Sequence, residues 1–302
     1  MERSTAFTRR ASPPAPRDVL ELLKPITWFP PVWAFGCGVV SSGVPIADRW
    51  PFLLAGIALT GPLVCGTSQA VNDWFDRHVD AINEPNRPIP SGRIAGRWGL
   101  AIAIAGTVLS LVVAALTGPW VLAATTLGLI FAWAYSAPPF RFKSSGILGP
   151  AVVALTYEGL TWFTGAAVMA GTLPSGAVLI VLILYSAGAH GIMTLNDFKA
   201  VEGDRATGLR SLPVMIGVDR AARVACVVMA VPQVAVVGLL ASWDHVVVAA
   251  VVAALLLGQL VLMRRLLRDP LAHTPRYNAT GTTLYVLGML AAALGLGGVM
   301  GL

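Results

Sequence analysis

Apolar residues fill this chain in long runs, separated by short stretches where Gly, Pro and charged residues collect. Nine runs are present, at residues 25–43, 51–71, 97–117, 119–137, 147–170, 174–195, 220–241, 246–265 and 282–301. Each approaches the roughly 20 residues that a helix needs to cross about 30 Å of hydrocarbon. Hinges fall at Thr117-Gly118-Pro119 and Gly171-Thr172-Leu173-Pro174, where Gly and Pro punctuate the pattern. Backbone groups in lipid must be paired internally, and the runs are too long and uniform for barrel strands. The pattern therefore predicts an all-α polytopic membrane protein of nine transmembrane helices. Residues 1–24 are polar, basic and proline-rich (Pro13, Pro14, Pro16), without the apolar centre of a cleavable signal. They are expected to be a flexible cytoplasmic tail, with residues 25–302 forming a single transmembrane domain.

Composition agrees with this reading. Of 302 residues 56% are hydrophobic and only 12% charged, with a mean hydropathy of +0.74, whereas soluble domains carry about 25% charged residues. Charge also orients the chain. With the N-terminus in the cytoplasm, all of the 21 Lys and Arg except Arg49 fall in the tail or in the loops after the even-numbered runs. The positive-inside rule then puts the N-terminus in and the C-terminus out. The net charge of +6 is what positive charge beside anionic lipid produces, and it calls for no nucleic acid. The three cysteines, Cys37, Cys65 and Cys226, lie inside apolar runs with no metal-ligand spacing and read as small core residues.

The same face holds most of the acids. After the second run come Asn72-Asp73-Trp74-Phe75-Asp76-Arg77-His78-Val79-Asp80 and then Glu84-Pro85-Asn86-Arg87-Pro88-Ile89-Pro90-Ser91-Gly92-Arg93. If the helix continues, Asp73, Asp76 and Asp80 stand at about 0°, 300° and 340° around it, on one stripe. Three carboxylates so close raise one another's pKa unless a cation intervenes, and hard oxygen ligands suit Mg²⁺. After the sixth run comes Asn196-Asp197-Phe198-Lys199-Ala200-Val201-Glu202-Gly203-Asp204-Arg205, then Arg210-Ser211-Leu212-Pro213. Asn196, Asp197 and Asp204 align with Asn72, Asp73 and Asp80, and Ala200 takes the place of Asp76. The two clusters thus look like an internal repeat able to hold metal between facing helix ends; the plainer alternative is a pair of solvated helix ends neutralising nearby arginines. Between two acidic helix ends ringed by Arg87, Arg93, Arg141, Lys143, Lys199, Arg205 and Arg210, a magnesium-bound diphosphate fits. Tyr135, in the Ala134–Lys143 loop, adds an aromatic group that serves either this site or an interfacial belt.

At these residues the chain resembles the UbiA-type intramembrane prenyltransferases, and within them the (bacterio)chlorophyll synthase branch, leaning to its bacteriochlorophyll-making members. The likeness is carried by both acidic motifs and by Lys24-Pro25-Ile26-Thr27-Trp28-Phe29-Pro30-Pro31, Asn83 to Arg93, Gly188 to Lys199, Glu202-Gly203-Asp204-Arg205 and Ser211-Leu212-Pro213. It implies Mg²⁺-dependent transfer of a geranylgeranyl or phytyl group from its diphosphate to the propionate of bacteriochlorophyllide, in a bacterial photosynthetic inner membrane with the site facing the cytoplasm. By the same resemblance Asn72, Asp76 and Asp80 match the first metal motif and Asp204 the last acid of the second; Asp73 and Asp197 join them as metal candidates, with Asp76, Asp80, Asp197 and Asp204 as the catalytic set. Ala200 departs from many quinone-making relatives, which have Asp there. Asp197 is expected to compensate, because Glu202 lies off the face of Asp204. The alternative acceptors are chlorophyllide, or a quinone or haem precursor. Asn196 joins Tyr135 as a substrate-pocket candidate. Glu158, costly in lipid, either orients polar parts of a substrate or bonds to a neighbouring helix, and His190 either ligates the pigment's central magnesium or is a satisfied core histidine. A secondary transporter, the rival from another class, would place its polar groups near the bilayer midplane, whereas here they crowd the rim.

Overall fold

The computed structural model describes residues 12–298; residues 1–11 of the expected tail and 299–301 of the ninth run lie outside the described residues. Helices in chain order are α1 (Pro16–Leu22), α2 (Phe29–Ser41), α3 (Ile46–Ala58), α4 (Gly66–Asn83), α5 (Trp98–Thr117), α6 (Pro119–Ser136), α7 (Leu148–Ala154), α8 (Thr161–Ala170), α9 (Gly176–Asn196), α10 (Val201–Thr207), α11 (Leu212–Ile216), α12 (Val218–Ser242), α13 (Val246–Leu266) and α14 (Pro270–Leu296). There is no strand among the described residues, only an isolated bridge between Ser145 and Arg210. Wide π-helical turns, Leu59–Cys65 and Leu155–Leu160, join α3 to α4 and α7 to α8 into continuous rods of residues 46–83 and 148–170. Pro62 inside the first of these removes a backbone donor, an ordinary cause of such a local widening.

Among the described residues eight helices are long and apolar enough to cross a membrane. The first predicted run is the exception. Pro25, Pro30 and Pro31 break it into a 3₁₀ turn, Pro25–Trp28, and the 13-residue α2. The tail also differs from expectation, since residues 16–22 are helical and Leu22 is fully buried. At the other end α14 starts at Pro270, one helical stretch before the apolar run, capped by Asp269 Oδ1 accepting from the Ala272 amide at 3.1 Å.

Packing relies on close backbone approach, as expected where lipid removes the hydrophobic drive between helices. α2 lies against α8 through Gly38 and Gly165; a Cβ on either would stand about 2 Å from the other helix's carbonyls, 2.0 Å from Trp162 O and 2.1 Å from Phe35 O. Beside that seam the buried Trp162 indole donates to Ser41 Oγ at 3.0 Å. Trp162 stacks on Tyr185, which meets Tyr285 edge-to-face, across α8, α9 and α14. Gln233 of α12 and Gln259 of α13 exchange two side-chain amide bonds at 2.9 and 3.1 Å, leaving neither amide unsatisfied in the bilayer. Outward-facing aliphatics such as Leu116, Val108, Leu257 and Val261 form the lipid-facing belt.

Contacts between distant loops gather the acidic motifs onto one face. Lys24 reaches Asp73, Arg93 reaches Asp18, Lys143 reaches Asp76, Gly146 donates to the Arg210 carbonyl, and Asn278 donates to Asn196. On the opposite face Gly43 lies against Gly297, and Arg49 donates to the Val168 carbonyl at 2.9 Å.

Candidate active site

The first motif rides on α4, which continues past the apolar run to Asn83 and so keeps its acids on one stripe. Those acids turn to cations rather than to one another. Asp73, 1% exposed, accepts from Lys24 Nζ at 2.6 Å and has Arg87 Nη1 at 3.5 Å, both on Oδ1, while its buried Oδ2 has no hydrogen-bond partner. Asp80 Oδ2 accepts from the same Nη1 of Arg87 at 2.9 Å. Asp76 pairs with Lys143 through Oδ1 and accepts from Asn72 Nδ2 through Oδ2 at 3.0 Å; Asn72 also donates to Ser136 Oγ at 3.1 Å. Lys24 and Arg141 both adopt left-handed backbone, φ +47° and +40°, a conformation that non-glycine residues hold only where their surroundings fix it.

The second motif does not continue its helix. α9 ends at Asn196, a 3₁₀ turn covers Asp197–Ala200, and α10 carries Asp204. This change of pitch alters the angular argument that paired Asp197 with Asp204, yet both residues line one cavity.

That cavity, of about 520 Å³, has a polar mouth and an apolar depth. Asn72, Tyr135, Lys143, Asn196, Asp197, Lys199, Asp204 and Ser211 stand in its wall together with Val64, Phe131, Val152, Val153 and Thr156. Both π turns contribute to it, through Thr60, Val64 and Cys65 and through Thr156 and Tyr157. Wide turns of this kind recur at functional sites. Across the cavity Gln69 Nε2 donates to the Tyr157 hydroxyl at 3.1 Å, and Cys65 Sγ lies 3.4 Å from the same oxygen.

The remaining sequence candidates sit elsewhere. Arg93 is clamped away from the cavity: its two terminal nitrogens hold both carboxylate oxygens of Glu21 at 2.5 and 2.7 Å, Asp18 at 2.7 Å and the Asn86 carbonyl at 2.7 Å. Through that hydrogen bond the Glu21 carboxyl is held below its ordinary pKa and the Arg93 guanidinium is raised. Arg87 is occupied by Asp73 and Asp80, and Arg141, Arg205 and Arg210 do not line the cavity. Glu158 is buried in the second π turn, with Oε2 unpartnered, beside Gly159 where it packs on Ser186. His190 has Nε2 3.1 Å from the Ile147 carbonyl and Nδ1 3.5 Å from Thr194 Oγ1. Sequence reasoning passed over Lys24 as a partner of Asp73, and Gln69 and Tyr157 as cavity residues. Lys24 carried a signal, standing alone at the boundary between polar tail and first apolar run.

Among the described residues no three acids, histidines or cysteines converge on a point. The donor set is nevertheless that of a hard divalent cation. It offers amide and carboxylate oxygens from Asn72, Asn196, Asp197 and Asp204 on the cavity wall, Asp76 bonded to Asn72, and the unpartnered Asp73 Oδ2 nearby.

A helical membrane bundle with a charged mouth over an apolar pocket suits an enzyme that handles a lipid diphosphate. The family model described as the UbiA prenyltransferase family matches residues 28–280. The chain belongs to that family. Among its relatives, this prenyltransferase is 59% identical over 288 residues to the bacteriochlorophyll synthase 33 kDa chain of Cereibacter sphaeroides, covering 95% of each chain. It is 38% identical to the chloroplastic chlorophyll synthase of Arabidopsis thaliana, covering 91% of this chain and 73% of that one. A UbiA homolog from Archaeoglobus fulgidus, solved bound to GPP and Mg²⁺, has the same fold, with a TM-score of 0.71 at 21% identity over 89% of this chain and 99% of that one.

Proposed function

We propose that this UbiA prenyltransferase esterifies the propionate of bacteriochlorophyllide with a geranylgeranyl or phytyl group taken from its diphosphate. The observation that carries the reading is the cavity, whose mouth suits a diphosphate and whose depth suits the chain attached to it. Lys199, and Lys143 from beside Asp76, bind diphosphate oxygens at the mouth as point charges. Val64, Phe131, Val152 and Val153 take up the prenyl chain and keep water from the allylic carbon. Asn72, Asp76, Asp197 and Asp204 would hold Mg²⁺, which when bound would supply charge to stabilise the departing diphosphate. The carbon–oxygen bond to the diphosphate breaks as a propionate oxygen bonds to the same carbon. A propionate is already ionised near pH 7, so no side chain need act as base. Asp73, Asp76 and Asp80 hold Lys24, Lys143 and Arg87; Asp76 differs from the other two in bonding directly to Asn72 of the cavity wall, and Asp73 keeps Oδ2 unpartnered.

The acceptor follows the relatives: likeness to a bacteriochlorophyll synthase, at 59%, exceeds that to a chlorophyll synthase, at 38%. The membrane reading has nine crossings, with the cavity mouth in the cytoplasm. α2 is short, but it runs from Lys24 at the motif face to Gly43 at the face of Gly297, so it crosses as the longer helices do. Every Lys and Arg among the described residues except Arg49 belongs to the loops and helix ends of the motif face. Purified protein incubated with bacteriochlorophyllide, Mg²⁺ and geranylgeranyl diphosphate is expected to yield esterified pigment on chromatography. Recovery of unesterified pigment alone, with phytyl diphosphate giving the same result, would overturn the assignment.

A further inference from the structure

A second, smaller cavity of about 160 Å³ lies where α13 meets the start of α14, on the motif face but lined by none of the residues of the first. Its walls bring together Arg265 from the last turn of α13, Arg268 from the connection, and His273 and Arg276 from one face of α14. None of the four forms an ion pair among the described residues. The acid in the connection, Asp269, is engaged in capping α14 through Ala272, and its carbonyl lies 3.0 Å from His273 Nδ1. Three arginines held together without an ion pair among the described residues repel one another, and an anion relieves that repulsion.

The floor beneath them is apolar, formed by Leu262 and the buried Tyr277. Beside it, at the same level of the bundle, Val261, Leu267 and Leu271 are exposed. A phosphate group is the anion that fits forked guanidinium donors, and exposed aliphatics next to it suit a phosphate that carries acyl chains. We infer that this cavity binds the phosphodiester of an anionic phospholipid. A zwitterionic headgroup brings a cation of its own into a site already crowded with positive charge, so a net negative lipid is preferred. Free phosphate or diphosphate shares the anion chemistry but leaves the apolar border unused. Two residues beyond Arg276, Asn278 donates to Asn196 in the wall of the larger cavity at 3.1 Å. A headgroup that steadies the first turns of α14 therefore steadies that contact too.

The test is a binding measurement, independent of any catalytic assay. Full-length protein in detergent is mixed with equal amounts of phosphatidylglycerol and phosphatidylcholine and examined by native mass spectrometry. Wild type is expected to retain one phosphatidylglycerol in preference to phosphatidylcholine. The double variant Arg265→Gln/Arg276→Gln, which loses two of the charges, is expected to bind it about thirtyfold more weakly. The Arg265→Lys/Arg276→Lys pair, which keeps the charge, should restore most of the binding and shows that the Gln variant failed by charge and not by misfolding. Displacement of the lipid by inorganic phosphate or diphosphate at comparable concentration overturns the lipid assignment in favour of a free anion. Equal retention of the two lipids by wild type, or undiminished phosphatidylglycerol binding by the Gln variant, overturns the site itself.

Discussion

The two acidic motifs occupy corresponding places in the chain but differ in their surroundings. In the first, Asp73, Asp76 and Asp80 each face a cation, brought by Lys24 from before α2, Arg87 from the following loop, and Lys143 from the loop after α6. In the second, Asp197 and Asp204 stand in the wall of the main cavity with Asn196 and Lys199. Their local structures explain the contrast. α4 stays helical to Asn83 and carries its acids out as one rigid stripe against three incoming loops, whereas α9 gives way to a 3₁₀ turn that turns its acids inward. A repeat in sequence has become a division of labour. One copy ties the loops of the face together and the other lines the main cavity, with Asn72, which lines the cavity and bonds to Asp76, as the link between them.

Substitutions can break or sharpen that contrast. Asp204→Ala is expected to lower kcat about a hundredfold or more, the scale of losing one group that stabilises transition-state charge, with a smaller fall in Tm than Asp73→Ala gives. Asp73→Ala should do the reverse. It leaves Lys24 and Arg87 short of a buried partner, so it costs about 2 kcal/mol of stability, read as a lower Tm. Equal activity loss without a fall in Tm would erase the distinction. Lys143→Gln touches both roles, since this residue pairs with Asp76 and lines the cavity. A loss of about tenfold in kcat/KM is expected, equivalent to about 1.4 kcal/mol of diphosphate binding.

Ala200→Asp restores the acid that the first motif has at Asp76, and the rate should stay within about threefold of wild type. A tenfold gain would show the second motif to be missing a ligand. Arg93→Gln is expected to have the smallest effect on turnover, again within about threefold, because the guanidinium is spent on Asp18 and Glu21. A large rise in KM for the diphosphate would return Arg93 to the site. Its clamp on α1 has a pH signature. The Glu21 carboxyl is depressed below its ordinary 4.5, so the clamp is fully present above that value and is lost as pH falls through the lowered one. Hydrogen exchange in residues 16–22 should accelerate in that acid range in wild type, and already at neutral pH in Arg93→Gln.

Much of this was readable from the sequence, for identifiable reasons. Hydropathy located the eight helices of membrane-crossing length among the described residues because lipid demands uniform apolar runs. It placed the start of α14 late because His273, Thr274, Arg276, Asn278 and Thr280 dilute its first turns, and it overstated the first run because three prolines interrupt the helix there. Helical spacing put the first three acids on one stripe, and they are on one helix. The identity of their partners was out of reach, since Lys24 and Lys143 lie 49 and 67 residues away in sequence from the acids they bind. Local pattern carries no information on such pairings. Arg93 shows the same limit. An arginine two residues after Ser91 on an acid-rich face could serve a phosphate or a carboxylate, and only the docking of α1 decides for Glu21.

The Gly38–Gly165 seam also bears on the order in which the chain is assembled. A ribosome releases α2 at residues 29–41, but the surface that α2 fits, around residue 165, is made only after four further crossings have emerged. Until then α2 offers thirteen residues to the bilayer, fewer than the roughly 20 that hold a helix across it unaided. An early apolar segment is thereby packed only after the chain has been extended well beyond it.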